Sequence, residues 1–119
     1  MLRTVLKSKL HRARVTDVLI DYEGSIEIDE DLMDEVEIST YEQVHVFNIN
    51  NGQRFVTYVI PGKRDNRMIS INGAAARLAQ INDRIIIVAY GIINIDQEII
   101  VPKVLILDEK NQIIEKKGM

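Results

Sequence analysis

Gln43-Val44-His45-Val46-Phe47-Asn48-Ile49, then Asn50-Asn51-Gly52-Gln53, then Arg54-Phe55-Val56-Thr57-Tyr58-Val59-Ile60 reads as two strands joined by a turn. Val44, Val46, Phe47 and Ile49 carry the apolar side of the first run, and Phe55, Tyr58 and Ile60 are the bulky members of the second. Asn-Gly supplies the left-handed backbone that a tight hairpin demands. Pro61-Gly62 ends the second run. Antiparallel β-structure built from short strands is therefore the starting expectation.

The same grammar continues outward. Downstream, Met68–Ile71 reads as a short strand, Asn72-Gly73 opens a small alanine-rich helix over Ala74–Leu78, and Arg84–Ile93 and Val101–Leu107 are strong strands. The runs Ile85–Tyr90 and Ile99–Val101 read as buried strand segments. Upstream, Ser25–Ile28 is a strand, Asp29 an N-cap before the brief apolar stripe Leu32, Met33 and Val36, and Val15–Tyr22 alternates with Val18, Ile20 and Tyr22 on one face. Leu2–Val15 fits neither the helical nor the strand period, and the charged tail after Asp108 is expected to fray. About seven short strands with two short helices predict a compact mainly β domain, a barrel or an orthogonal sandwich.

Composition agrees with this and narrows function. Ile and Val number 31 of 119 residues against six aromatics, a bias toward pleated half-buried surfaces. A hydrophobic share of 46% with 28% charged residues belongs to a globular chain rather than a disordered one. The net charge of −3 argues against a nucleic-acid partner. The absence of cysteine excludes disulfide frameworks, thiol nucleophiles and cysteine-based metal sites, and a reducing cytosol fits it best. His11 and His45 lack ligand partners at helical spacing, so no metal is expected. No apolar run approaches a membrane span or a signal peptide, so no membrane partner is expected either.

Four groups of residues carry candidate chemistry. Gly24-Ser25 follows Tyr22-Glu23; a turn is the ordinary reading, and a self-cleaving peptide bond is the functional one. For the latter, the Ser25 hydroxyl attacks the preceding carbonyl, which asks for backbone strain and a donor to the developing oxyanion. Arg54 and Tyr58 lie on one side of a strand with Thr57 on the other, so an arginine fork for a carboxylate stands beside a phenol able to give a proton. Asn72-Gly73-Ala74-Ala75 presents bare backbone N–H groups suited to an anion, or simply a capped helix start. Lys7, Lys9, Arg12 and Arg14 form a basic cluster, either surface charge or the cationic wall of an anion pocket. The acidic run Glu27–Glu37 reads as a solvated helix face.

Five stretches in register, Lys9-Leu10-His11-Arg12, Tyr22-Glu23-Gly24-Ser25, Ile28-Asp29, Asn51–Tyr58 and Ile71–Ala76, make the chain resemble the bacterial pyruvoyl-dependent aspartate 1-decarboxylases. The resemblance spans nearly the whole length and is weakest after Tyr90. Ile26 and Phe47 stand where some relatives carry other residues. It implies a six- to seven-stranded double-psi β-barrel with short helices, one domain over residues 1–119, made as a proenzyme. It implies self-cleavage at Gly24-Ser25 into a 1–24 β-chain and a 25–119 α-chain, with Gly24, Ser25 and Thr57 as processing residues. Ser25 would become a covalent pyruvoyl cofactor forming a Schiff base with L-aspartate. Decarboxylation would give β-alanine and carbon dioxide for pantothenate and coenzyme A synthesis in the cytoplasm. Tyr58 would be the proton donor, a phenol being protonated at neutral pH. Lys9, Arg54, Thr57, Asn72, Gly73, Ala74 and Ala75 would bind substrate. The family further implies a homotetramer with active sites between subunits, and it leaves room for an accessory maturation factor. The alternatives are a non-catalytic small β-barrel binding module, in which Gly24-Ser25 is only a turn, and a hydrolase using Ser25 directly, for which the spacing offers no Ser-His-Asp set.

Overall fold

A computed structural model describes residues 1–119. Its strands are β1 (Leu2–Arg14), β2 (Asp17–Leu19), β3 (Ser25–Asp29), β4 (Gln43–Asn48), β5 (Arg54–Gly62), β6 (Ile69–Asn72), β7 (Arg84–Asn94), β8 (Lys103–Leu107) and β9 (Ile113–Lys117). One α-helix, α1 (Glu30–Val36), follows β3, and one 3₁₀ helix (Gly73–Leu78) follows β6. The strands hydrogen-bond in the order β2-β6-β3-β5-β4-β7-β1-β8-β9, so most neighbours in space are distant in sequence. Three pairs, β1–β8, β2–β6 and β3–β5, are parallel and the rest antiparallel. The expected hairpin is β4–β5, with Val46 opposite Phe55 and Gly52 at φ +75° in its turn.

Twenty-one buried residues form one apolar cluster. Ile26 and Ile28, Val44 and Val46, and Ile85, Ile87 and Ala89 feed it from alternate positions of their strands, and Leu10 and Ala13 from either side of an irregularity in β1. Leu32, Met33 and Val36 of α1 cap it, as the apolar stripe predicts. Asp29 is the N-cap, its carboxylate accepting the Asp31 N–H at 2.9 Å. The same buried carboxylate accepts the N–H groups of Asn66 and Arg67, so it also ties down the loop before β6. The acidic outer face of α1 is solvated but not unpaired, since Arg64 meets Glu30, Asp31 and Asp34. These carboxylates push the Arg64 guanidinium above its ordinary range.

There are nine strands because two segments read as irregular are strands. Leu2–Arg14 lost its period on the page because register shifts at Leu6/Ser8 and Leu10/Ala13, with Arg12 at φ +65°, reset the alternation. The tail does not fray from Asp108 onward. The Asp108 carboxylate accepts the N–H groups of Lys110 and Gln112, and buried Asn111, at φ +60°, turns the chain so that β9 pairs with β8. Those two N–H donors also hold the Asp108 carboxyl below its usual range. Two other expectations fail. Ile20 and Tyr22 lie exposed in a turn after the short β2, and Ile99–Val101 is a connection outside any strand, with Ile99 94% accessible, Val101 exposed and Ile100 half-buried. The alanine-rich helix is 3₁₀ and begins at Gly73. No helix is long and apolar enough to cross a membrane.

Candidate active site

Ser25 opens β3, which lies between β6 and β5. On one side it sits directly opposite Asn72. On the other, β3 and β5 run parallel from the pair Ile26 and Val59, so Ser25 and Tyr58 each stand one residue before that pair. Strand alternation turns Ile26 and Val59 into the core and Ser25 and Tyr58 away from it. Adjacent strands lie roughly 4.8 Å apart, which makes Tyr58 a lateral neighbour of Ser25, while Thr57 is paired with Val44 of β4 on its other side.

The Ser25 hydroxyl is nonetheless buried, 1% accessible. It donates to the Glu23 carbonyl at 3.1 Å and accepts from the Asn72 side-chain amide at 3.1 Å. Asn72 is fully buried, and its Oδ1 accepts from Ser70 at 2.9 Å. Gly24 has an ordinary φ, so the strain sought at the scissile residue is not in that angle. The special backbone is Gly73, at φ +77°. A Cβ there would fall 2.6 Å from Gly24 Cα, 2.8 Å from Gly24 N and 3.0 Å from the Tyr22 carbonyl oxygen. Glycine is required at 73 for both reasons, and its bare backbone forms the floor on which Gly24 lies. Ala74 is exposed and Ala75 half-buried at the start of the 3₁₀ helix, while Ala76 turns into the core.

Arg54 and Tyr58 do share a face of β5, four residues apart, or roughly 13 Å along the strand. Arg54 lies opposite Phe47 on β4 and its guanidinium covers that ring, 4.5 Å from the centroid. The Tyr58 ring faces Tyr41 at a centroid distance of 6.3 Å. Lys9 is on β1, separated from β5 by β7 and β4, although the paired row Lys9–Val88–His45–Val56 puts it on the face that Arg54 and Tyr58 share. The seven ion pairs of the chain involve neither Lys9 nor Arg54, so both cations are free for a carboxylate. His11, two residues from Lys9, is held below its ordinary pKa first by burial and then by Lys9, Arg12, Lys117 and Arg84.

The structure thus brings together Gly24, Ser25, Asn72 and Gly73, sets Tyr58 beside Ser25 on the next strand, and leaves Lys9 and Arg54 apart from them within one chain. None of the five surface cavities is lined by Ser25, Thr57, Tyr58, Lys9 or Arg54. Ser70 and Tyr41 had drawn no notice from sequence. The alternation of Ser70 and Asn72 as polar members of a strand whose other members are isoleucines was the available signal for the first. For Tyr41 there was none.

The sequence model of the family described as Aspartate decarboxylase matches residues 1–114. An aspartate 1-decarboxylase of Pseudothermotoga lettingae is 58% identical over 116 residues, covering 98% of this chain and all of that protein. One from Bacillus cytotoxicus is 53% identical over 116 residues, covering 97% and 91%. Among solved structures, the rationally designed mkDPBB_sym_86 protein superposes with a TM-score of 0.51 at 9% identity, over 66% of this chain and 92% of that one. That likeness shows the double-psi β-barrel fold.

Proposed function

The chain belongs to the aspartate decarboxylase family, and on that premise we propose that it converts L-aspartate to β-alanine and carbon dioxide, the step that supplies β-alanine for pantothenate, after cutting its own chain at Gly24–Ser25. The observation that carries the reading is the buried Ser25 hydroxyl, held by the Asn72 amide beside a Gly24 packed on Gly73. In the cut, the Ser25 oxygen bonds to the Gly24 carbonyl carbon, the Gly24–Ser25 C–N bond breaks, and the hydroxyl proton passes to the freed amine. Elimination of the Gly24 carboxylate and exchange of the amine for water, released as ammonia, then leave a ketone at position 25. The products are residues 1–24 and 25–119 of one barrel domain.

A pyruvoyl group at position 25 suits this setting. Its carbonyl would replace a hydroxyl that already meets the Asn72 N–H. When present, the group supplies an electrophilic carbonyl that accepts the electron pair released with carbon dioxide. The side chains supply the rest. Thr57, next to Tyr58 on β5, is the donor for the oxyanion of the cut and a later substrate contact. Arg54, braced on Phe47, clamps a substrate carboxylate in a bidentate manner, and Lys9 is a second cation. The N–H groups of Gly73, Ala74 and Ala75, with Asn72, receive the remaining anionic oxygens. Tyr58, lateral to Ser25, gives the proton to carbon.

Because Lys9 and Arg54 lie away from Ser25 in the single chain and no cavity contains the set, a homotetramer whose subunits complete one another's sites fits best. The cytoplasm is the compartment that suits this chemistry. The binding-module alternative has no observation in its favour. An intact-mass measurement paired with a β-alanine assay tests the reading: two fragments and product formation support it, and one inert uncut chain overturns it.

A further inference from the structure

Ser70, Asn72 and Ser25 form a chain of hydrogen bonds with one direction. Ser70 Oγ donates to Asn72 Oδ1 at 2.9 Å, Asn72 Nδ2 donates to Ser25 Oγ at 3.1 Å, and Ser25 Oγ donates to the Glu23 carbonyl at 3.1 Å. All three side chains are buried, at 2%, 0% and 1% accessibility. They share a face because Ser70 and Asn72 are two apart on β6 and Ser25 is paired with Asn72, while Ile69, Ile71 and Ile26 turn into the core.

The direction follows from the last acceptor. A backbone carbonyl can only accept, so the Ser25 proton goes to Glu23 and Ser25 must accept from Asn72. The amide then faces Ser25 with its nitrogen, which leaves Oδ1 turned to Ser70, its one side-chain donor. This orientation matters to the cut. An N–H directed at the Ser25 oxygen favours negative charge on it, whereas the amide turned the other way would present Oδ1 and oppose that charge.

We propose that Ser70 is a positioning residue for self-cleavage: its hydroxyl holds the Asn72 amide with its N–H toward the Ser25 nucleophile. The inference rests on the reading of Gly24–Ser25 as the scissile bond and assigns the setting of the nucleophile to a residue outside it. Without the hydroxyl, Oδ1 loses its side-chain donor in a buried site, and turning toward the Ser25 hydroxyl would give it another. Donor chains of this kind also polarise one another, so the first member strengthens the third.

The test follows the rate of conversion from one chain to two by gel and intact mass, beginning with freshly refolded, uncut protein. Ser70→Ala removes only the hydroxyl and is expected to slow cleavage roughly three- to tenfold, the scale of one neutral hydrogen bond. Ser70→Thr and Ser70→Val form a pair of equal shape that differ only in carrying that hydroxyl. Threonine should cleave faster than valine by the same factor. If Ser70 serves packing alone, the two will cleave alike. Equal rates for Ser70→Thr and Ser70→Val, or wild-type speed in Ser70→Ala, overturn the proposal while leaving the scissile bond in place. A wild-type chain that never cleaves removes the scissile-bond reading itself, and this inference with it.

Discussion

Gly73→Ala is expected to stop or severely slow the self-cleavage of a chain that still folds. A Cβ at this position would lie 2.6 Å from Gly24 Cα, whereas ordinary contact begins at 3.4 Å, so Gly24 must retreat by about 0.8 Å to regain it. The obstacle is backbone, with the Gly24 nitrogen at 2.8 Å and the Tyr22 carbonyl oxygen at 3.0 Å, so no side chain can swing aside to relieve it. A shift on the order of 1 Å between a nucleophile and its target carbonyl costs on the order of 10²-fold in rate. The left-handed φ of +77° adds a separate stability cost of about 1–2 kcal/mol. Gly52→Ala isolates the second effect, since Gly52 has φ +75° with nothing within 4 Å of a built Cβ. Both variants should melt several degrees below wild type, and only Gly73→Ala should accumulate as a single chain on a denaturing gel. If Gly73→Ala matures at the speed of Gly52→Ala, the close approach of residues 73 and 24 plays no part in the cut.

Tyr58→Phe should still give two chains but lose kcat by roughly 10²-fold or more in a β-alanine assay, because the carbon-directed acid is gone and the cleavage apparatus is not; full activity would move the proton donor elsewhere. Arg54→Ala should mature and raise KM for L-aspartate by at least tenfold, as a charged bidentate partner is lost; an unchanged KM would remove the clamp. Stability should fall as pH drops below about 6.5, the ordinary histidine value. Burial and the cations Lys9, Arg12, Lys117 and Arg84 depress the folded pKa of His11, so between the two values the unfolded chain binds the extra proton. Melting curves of His11→Gln should be flatter between pH 7.5 and 5.5 than those of wild type; identical slopes would assign the titration to another group.

Where local pattern sets structure, it was readable. The β4–β5 hairpin follows from an Asn-Gly turn between alternating runs, and the Asp29 cap from a carboxylate placed before an apolar stripe. β1 and β9 were not readable, because one is interrupted by two register shifts and the other is a charged edge strand ordered by the Asn111 turn and the pairing with β8. Ile99–Val101 misled because an apolar run does not reveal whether the chain around it is pressed to the core or exposed. In the candidate site, strand alternation put Arg54 and Tyr58 on one side of a strand, as they lie on β5. Which residue of β6 meets which of β3 depends on pairing between segments almost fifty residues apart. The Ser70–Asn72–Ser25 chain and the Gly73–Gly24 contact therefore had to be read from the fold.

The most direct test of the account is the intact mass of the purified protein under denaturing conditions. The account predicts two polypeptides, residues 1–24 and 25–119, with the longer one lacking a free amino terminus and gaining mass when its ketone is reduced with borohydride. A single species of 13.6 kDa with an ordinary amino terminus, unchanged by borohydride, would contradict it.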